Sequence, residues 1–112
     1  MIDKESKAAL SDCRSRIDVV DRRLVAILNE RTRIVEQIGR IKREMEMPIY
    51  EPKREDEVFA NVMASNPGPL SPEAVKRIFE RIVDEMRVVQ KNKMEKKKIR
   101  YGKYPKYRQV MR

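Results

Sequence analysis

Between Leu10 and Met45 the chain alternates steps of three and four residues. Positions 10, 13, 17, 20, 24, 27, 31, 34, 38, 41 and 45 read Leu, Cys, Ile, Val, Leu, Ile, Arg, Ile, Ile, Ile, Met. Ten of these eleven are apolar and no proline interrupts them. That spacing lays one apolar seam along an α-helix, as in coiled coils. At 1.5 Å per residue such a helix would run roughly 55–60 Å. A chain of 112 residues cannot fold around it alone, so a partner chain is expected. Charged residues make up 40% of the chain and aromatics 5%, with no Trp. A solitary core would therefore lack large apolar side chains.

Pro48 is expected to end the seam helix, because the residue before a proline avoids the α region. Pro52 suits the first turn of a short second helix through Val58, Phe59, Val62 and Met63. The stretch "SNPGPLS" (65–71) breaks it. Ser71 is placed to cap a third helix, with Pro72 at its first position and Glu73 in its first turn. Its apolar stripe is Val75, Ile78, Phe79, Ile82, Met86 and Val89. The fold class is thus all-α, with three helices in the order long, short, long. Acids and bases balance over residues 1–90, whereas residues 91–112 hold ten bases and one acid, the entire net charge of +9. This divides the chain into a helical domain, 1–90, and a basic extension and tail, 91–112.

Several chemistries are excluded by residue type. Histidine is absent, which removes the commonest general base and metal ligand. Cys13 is the single cysteine, so no intrachain disulfide and no Cys/His nucleophile pair can form. There is no zinc spacing, Gly-rich phosphate loop or dinucleotide fingerprint, and no metal or cofactor is expected. No apolar run approaches the roughly 20 residues of a membrane span, and "MIDKESKAALSD" lacks the apolar core of an export signal. The cytoplasm is the expected compartment. Any catalysis must rest on Arg, Lys, Glu and Gln, which favours electrostatic stabilisation over proton shuttling.

A few polar residues stand where the pattern does not call for them. Arg31 is the one seam position that is not apolar; it either sets register or points a cation at an anion. Lys42 follows eleven residues later, a rotation of about 20°, with Cα atoms about 16 Å apart, so the two share a face. Arg14, roughly 25 Å along the helix from Arg31, is either a solvated base or a residue that reaches the site of an antiparallel partner. Gln90 lies in an i, i+4, i+8 row with Ile82 and Met86, either as a surface amide or as a neutral donor into a pocket. In "PIYEPKRE" (48–55), Glu51, Arg54 and Glu55 are either helix-start electrostatics or the wall of a site.

Taken together, these motifs resemble the all-helical (type II) chorismate mutases. The resemblance covers about residues 10–90 and rests on a combination: I-D-x-x-D-x-x-L at Ile17–Leu24, Glu30-Arg31, G-R-I-K ending at Lys42, P-I-x-x-P-x-R-E at Pro48–Glu55, and the distant Gln90. It implies an intertwined helical homodimer with two equivalent sites, conversion of chorismate to prephenate on the route to Phe and Tyr, and no cofactor. It further implies that Arg14 crosses the dimer and binds the substrate carboxylates together with Arg31. Lys42 would reach the ether oxygen and a carboxylate, and Gln90 would donate to the same ether oxygen. Arg54 would assist with a carboxylate, and Glu51 with Glu55 would meet the substrate hydroxyl. Met86 departs from relatives that carry a small polar residue there, and reads as pocket wall. Glu51 stands where some relatives use Asp.

Two other readings share these residues: an isochorismate pyruvate-lyase on the same scaffold, and a non-catalytic helical module. The acidic loop argues against the first, and the joint presence of Arg14, Arg31, Lys42, Arg54, Glu55 and Gln90 against the second. The tail lies outside the resemblance. Its bases, with Tyr101, Tyr104 and Tyr107 at intervals of three, are either a solvated extension or an arm for a pathway enzyme, an acidic protein or nucleic acid.

Overall fold

The computed structural model describes the backbone of residues 3–100 and the side chains of residues 3–93. The tail tyrosines, with Gly102 and Pro105, lie outside the described residues. Three helices make up the chain: α1 (Lys4–Glu44), α2 (Pro52–Ala64) and α3 (Pro72–Arg100). Among the described residues there is no strand. Each helix start has a local cause. Asp3 caps α1 by accepting the Ser6 N–H at 2.7 Å, and this bond holds its carboxyl below the usual carboxylate range. Pro52 occupies the opening of α2. The Ser71 hydroxyl accepts the Ala74 N–H at 3.1 Å and caps α3, as the sequence indicates. Between α2 and α3 the Asn66 side chain ties the loop, donating to the Leu70 carbonyl at 2.7 Å and accepting the Gly68 N–H at 3.0 Å.

The chain divides into two compact units, Met1–Arg33 and Ile34–Arg112. The first is the opening stretch of α1. Its described side chains are exposed except for Leu28, Arg31 and Thr32, which are half-buried. The seam residues Leu10, Ile17, Val20, Leu24 and Ile27 all face outward.

The second unit holds the end of α1 with α2 and α3, and its core is small. Val35, Val83 and Met86 are its buried apolar side chains, joined by Gly39 and Lys42. On α1 the buried row is therefore 35, 39 and 42, one step around from the seam. Ile34, Ile38, Ile41 and Met45 of the seam are exposed. On α3 the centre of packing is Val83 and Met86, while Ile78, expected in the stripe, is exposed. At Gly39 α1 runs close to α3: a Cβ there would lie 3.4 Å from the Gln90 Cα.

The end of α1 differs from expectation. The helix stops at Glu44, well before Pro48, in a Schellman arrangement. The Met47 N–H donates to the Lys42 carbonyl at 2.8 Å and the Glu46 N–H to the Arg43 carbonyl at 3.2 Å. Glu46 takes a positive φ of 56°, where glycine is the usual residue. Pro48 follows a turn that is already complete.

Candidate functional site

The end of α1, the corner at residues 45–51 and the facing sides of α2 and α3 bring charged side chains together in the second unit. Lys42 is the one buried charged residue among those described, 6% exposed. Its ammonium donates to the Ile49 carbonyl at 2.8 Å and pairs with Glu51 Oε1 at 2.8 Å. Glu51 sits at the N-cap of α2 yet makes no side-chain cap bond, because its carboxylate is turned to Lys42. Two of the three ammonium donors are thus engaged by protein, and a third remains. A buried cation is stable only when paired and hydrogen-bonded, and here it is both.

On the other side of the corner, Glu55 of α2 is gripped by Arg87 of α3. Arg87 Nε donates to Glu55 Oε2 at 2.6 Å and Nη2 to Oε1 at 2.8 Å, a bidentate pair. Arg87 Nη1 also pairs with Asp84 at 3.0 Å, and the guanidinium lies 5.2 Å from the Tyr50 ring centroid. The Arg87 hydrogen bonds, opposed by desolvation and aided by the charges of Arg87 and Lys42, hold the Glu55 carboxyl below its ordinary range. The same pairing raises Arg87 further above its already high value.

Gln90 adds a neutral group. Its side-chain oxygen is buried and accepts no hydrogen bond, the only such side-chain atom among the described residues. Gly39 meets the Gln90 backbone, and Lys42 lies one helical turn beyond Gly39. Met86, one turn before Gln90, is buried.

Of the residues singled out in the sequence, Lys42, Glu51, Glu55, Met86 and Gln90 belong to this unit, with Lys42 and Glu51 joined at its corner. Arg54 belongs to it as well but is exposed and pairs with Glu57 at 3.3 Å along α2. Such a surface pair is worth little and is easily exchanged. Arg14, exposed, and Arg31, half-buried, belong to the first unit. Arg87 was not expected. Only its position three residues before Gln90 and one after Met86 could have marked it, since the acid it grips is 32 residues away.

Fold and site define an all-helical protein whose charged side chains converge in ion pairs. No group of His, Cys, Asp and Glu among the described residues could hold a metal ion. No helix there is long and apolar enough to cross a membrane. The family model for chorismate mutase type II matches residues 13–91. A bifunctional chorismate mutase/prephenate dehydratase of Pseudomonas aeruginosa is 38% identical over 88 residues, covering 74% of this chain and 23% of that protein. Its namesake in Aquifex aeolicus is 33% identical over 78 residues, covering 66% and 22%. The chain thus spans less than a quarter of the length of these curated relatives. Among solved structures, chorismate mutase (Form II) from Thermus thermophilus aligns with a TM-score of 0.72 at 35% identity, over 74% of this chain and 94% of that one. Chorismate mutase from Helicobacter pylori in complex with prephenate aligns with a TM-score of 0.73 at 30% identity, over 79% and 96%. The chain belongs to the chorismate mutase type II family.

Proposed function

We propose that this chain is a chorismate mutase, rearranging chorismate to prephenate. The observation that carries the reading is Lys42: a buried ammonium, fixed by Ile49 and Glu51 and left with one donor, in a chain of this family. The rearrangement breaks an ether C–O bond as a new C–C bond forms, with no nucleophile and no proton transfer. It needs a flexible dianion held in its compact, reactive conformer. It also needs donors at the ether oxygen, where negative charge grows. Lys42 and the Gln90 amide supply those donors. Arg14, Arg31 and Arg54 neutralise the carboxylates, Glu51 and Glu55 meet the hydroxyl, and Met86 is wall. Arg54 gives up its weak surface pair with Glu57 to do so.

A second copy of the chain is the partner we propose. The outward seam supports it, with exposures from 38% at Ile38 to 63% at Met45; so long an apolar stripe calls for a cover. In that homodimer Arg14 serves the other protomer's site. The compartment we propose is the cytoplasm, and for the basic residues 91–112 an acidic or pathway-enzyme partner.

Chorismate depletion with product identification tests the activity. Prephenate is expected; pyruvate with salicylate from isochorismate would instead support the lyase. Lys42→Ala should lower turnover on the order of 10²–10³-fold, the usual loss for one such donor. A Lys42→Ala protein within a few-fold of the parent would remove Lys42 from the mechanism.

A further inference from the structure

The acids Glu51, at the N-cap of α2, and Glu55, in its first turn, are each held by a cation, but from different helices. Lys42 of α1 takes Glu51 and the Ile49 carbonyl. Arg87 of α3 takes both oxygens of Glu55 and lies over Tyr50. The corner 49–51 is thus clamped from two sides. Arg87 directs Nε and Nη2 to Glu55 and Nη1 to Asp84, so every nitrogen of its fork is engaged by protein acids. A guanidinium so committed is poorly suited to bind a substrate carboxylate itself. What it does fix is the Glu55 carboxylate: its plane, its charge, and which lone pairs remain open.

We propose that Arg87 is a positioning residue for the proposed reaction: its bidentate grip orients the Glu55 carboxylate as the acceptor for the substrate hydroxyl. The proposal rests on the chorismate-binding reading of the site. A bidentate pair leaves each oxygen a lone pair directed away from the guanidinium, so the hydroxyl is accepted from one side only. The grip also neutralises an acid that would otherwise repel a dianion. The charged groups that act on Glu55 are Arg87 on α3 and Lys42 on α1; Arg87 in turn meets Asp84 and Tyr50, and Lys42 meets Glu51. Both cations favour the ionised form, and Lys42 is already paired with Glu51. Removing Arg87 therefore releases the main restraint.

The test compares the parent with Arg87→Ala, Arg87→Lys, Glu55→Gln and the Arg87→Ala/Glu55→Gln pair. Glutamate carboxyl ¹³C titration is read first, with Glu55 assigned by its loss in Glu55→Gln. Glu55 should titrate below the ordinary glutamate range in the parent and move upward in Arg87→Ala. The acid limb of kcat/KM for chorismate should move upward with it, and kcat/KM near neutral pH should fall by up to about 10²-fold. Arg87→Lys, which keeps charge without the fork, should hold the titration nearer the parent's while recovering only part of kcat/KM. In the Glu55→Gln background Arg87→Ala should add little further loss.

A merely structural Arg87 would lower the melting temperature without moving the acid limb, and would cost as much with Glu55→Gln as without it. Either result overturns the proposal. Should Arg87→Ala unfold, the Arg87→Lys titration and profile decide alone, since an unchanged kcat/KM there removes the need for a fork. A parent chain that leaves chorismate untouched overturns the function reading; an active parent with unmoved Arg87 variants overturns only this one.

Discussion

At the scale of the residue, the site is a set of local sacrifices. The buried Gln90 oxygen accepts no hydrogen bond, and an orphaned acceptor of this kind costs about 1–3 kcal/mol. Gln90→Leu should therefore raise stability in urea by roughly 1 kcal/mol while lowering turnover about 10²-fold or more. A destabilised variant would contradict the orphaned acceptor, and one that keeps its activity would contradict the donor role. Glu55 yields a pH prediction with a definite sign. Its folded pKa lies below the ordinary value of 4.5, so its pairing stabilises the fold at higher pH and is lost as pH falls through the lowered value. Unfolding free energies of the parent and Glu55→Gln from urea titrations should differ at pH 7, by on the order of 1 kcal/mol given a partly exposed partner. The gap should close as pH falls below about 4.5. The sequence marks Lys42 by the face it shares with Arg31, Gln90 by its row with Ile82 and Met86, and Glu51 and Glu55 by an over-charged turn, and all four fall in the second unit. Arg87 was not legible there, because a base on a base-rich helix breaks nothing until α2 is folded beside it.

At the scale of the element, existence and order of the three helices follow from periodicity and caps, and Ser71 does what its position implies. The inward face of α1 was harder to read. Apolar spacing marks the row 34, 38, 41, yet the buried row in the second unit is 35, 39, 42. Two of its three members are Gly39 and Lys42, which no apolar count would score. One packs by having no side chain, and the other is buried because Ile49 and Glu51 satisfy its charge. Gly39→Ala would meet Gln90 at ordinary contact distance and gain helix propensity, roughly 0.5–1 kcal/mol. Gly39→Val adds methyl groups beyond that Cβ and should instead cost about 1–3 kcal/mol, with a matching loss of activity as Gln90 is pushed back. Opposite signs for the two variants in thermal melts would establish the close crossing. The C-terminus of α1 departs from expectation for a related reason. Proline is visible in a sequence, but a Schellman turn with glutamate in the glycine position is not. Glu46→Gly should relieve that strain and stabilise by about 1 kcal/mol, less the entropy glycine adds to the unfolded chain.

At the scale of the whole molecule, the α1 seam is left uncovered by the described residues of the chain itself. From Leu10 to Met45 its large apolar residues face outward, and the buried apolar core of the described residues is three side chains. A chain so built is stable only if something covers that stripe, and a second copy offers the matching one by symmetry. The homodimer proposed above would give the seam its cover and would account for an Arg14 that stands 17 residues before Arg31. These two arginines also give the sharpest test of the assembly. If Arg14 serves the other protomer's site and Arg31 its own, Arg14→Ala and Arg31→Ala are each nearly inactive alone. In a mixed dimer, one site then receives both intact arginines and the other receives neither. Unfolding the two variants together in equal amounts and refolding them should yield about half mixed dimers, each with one whole site, and so about a quarter of parental activity. If both arginines serve a site within one chain, every site in the mixture keeps a defect and activity stays at the level of the single variants. The mixture, read against each variant refolded alone, separates the two arrangements directly.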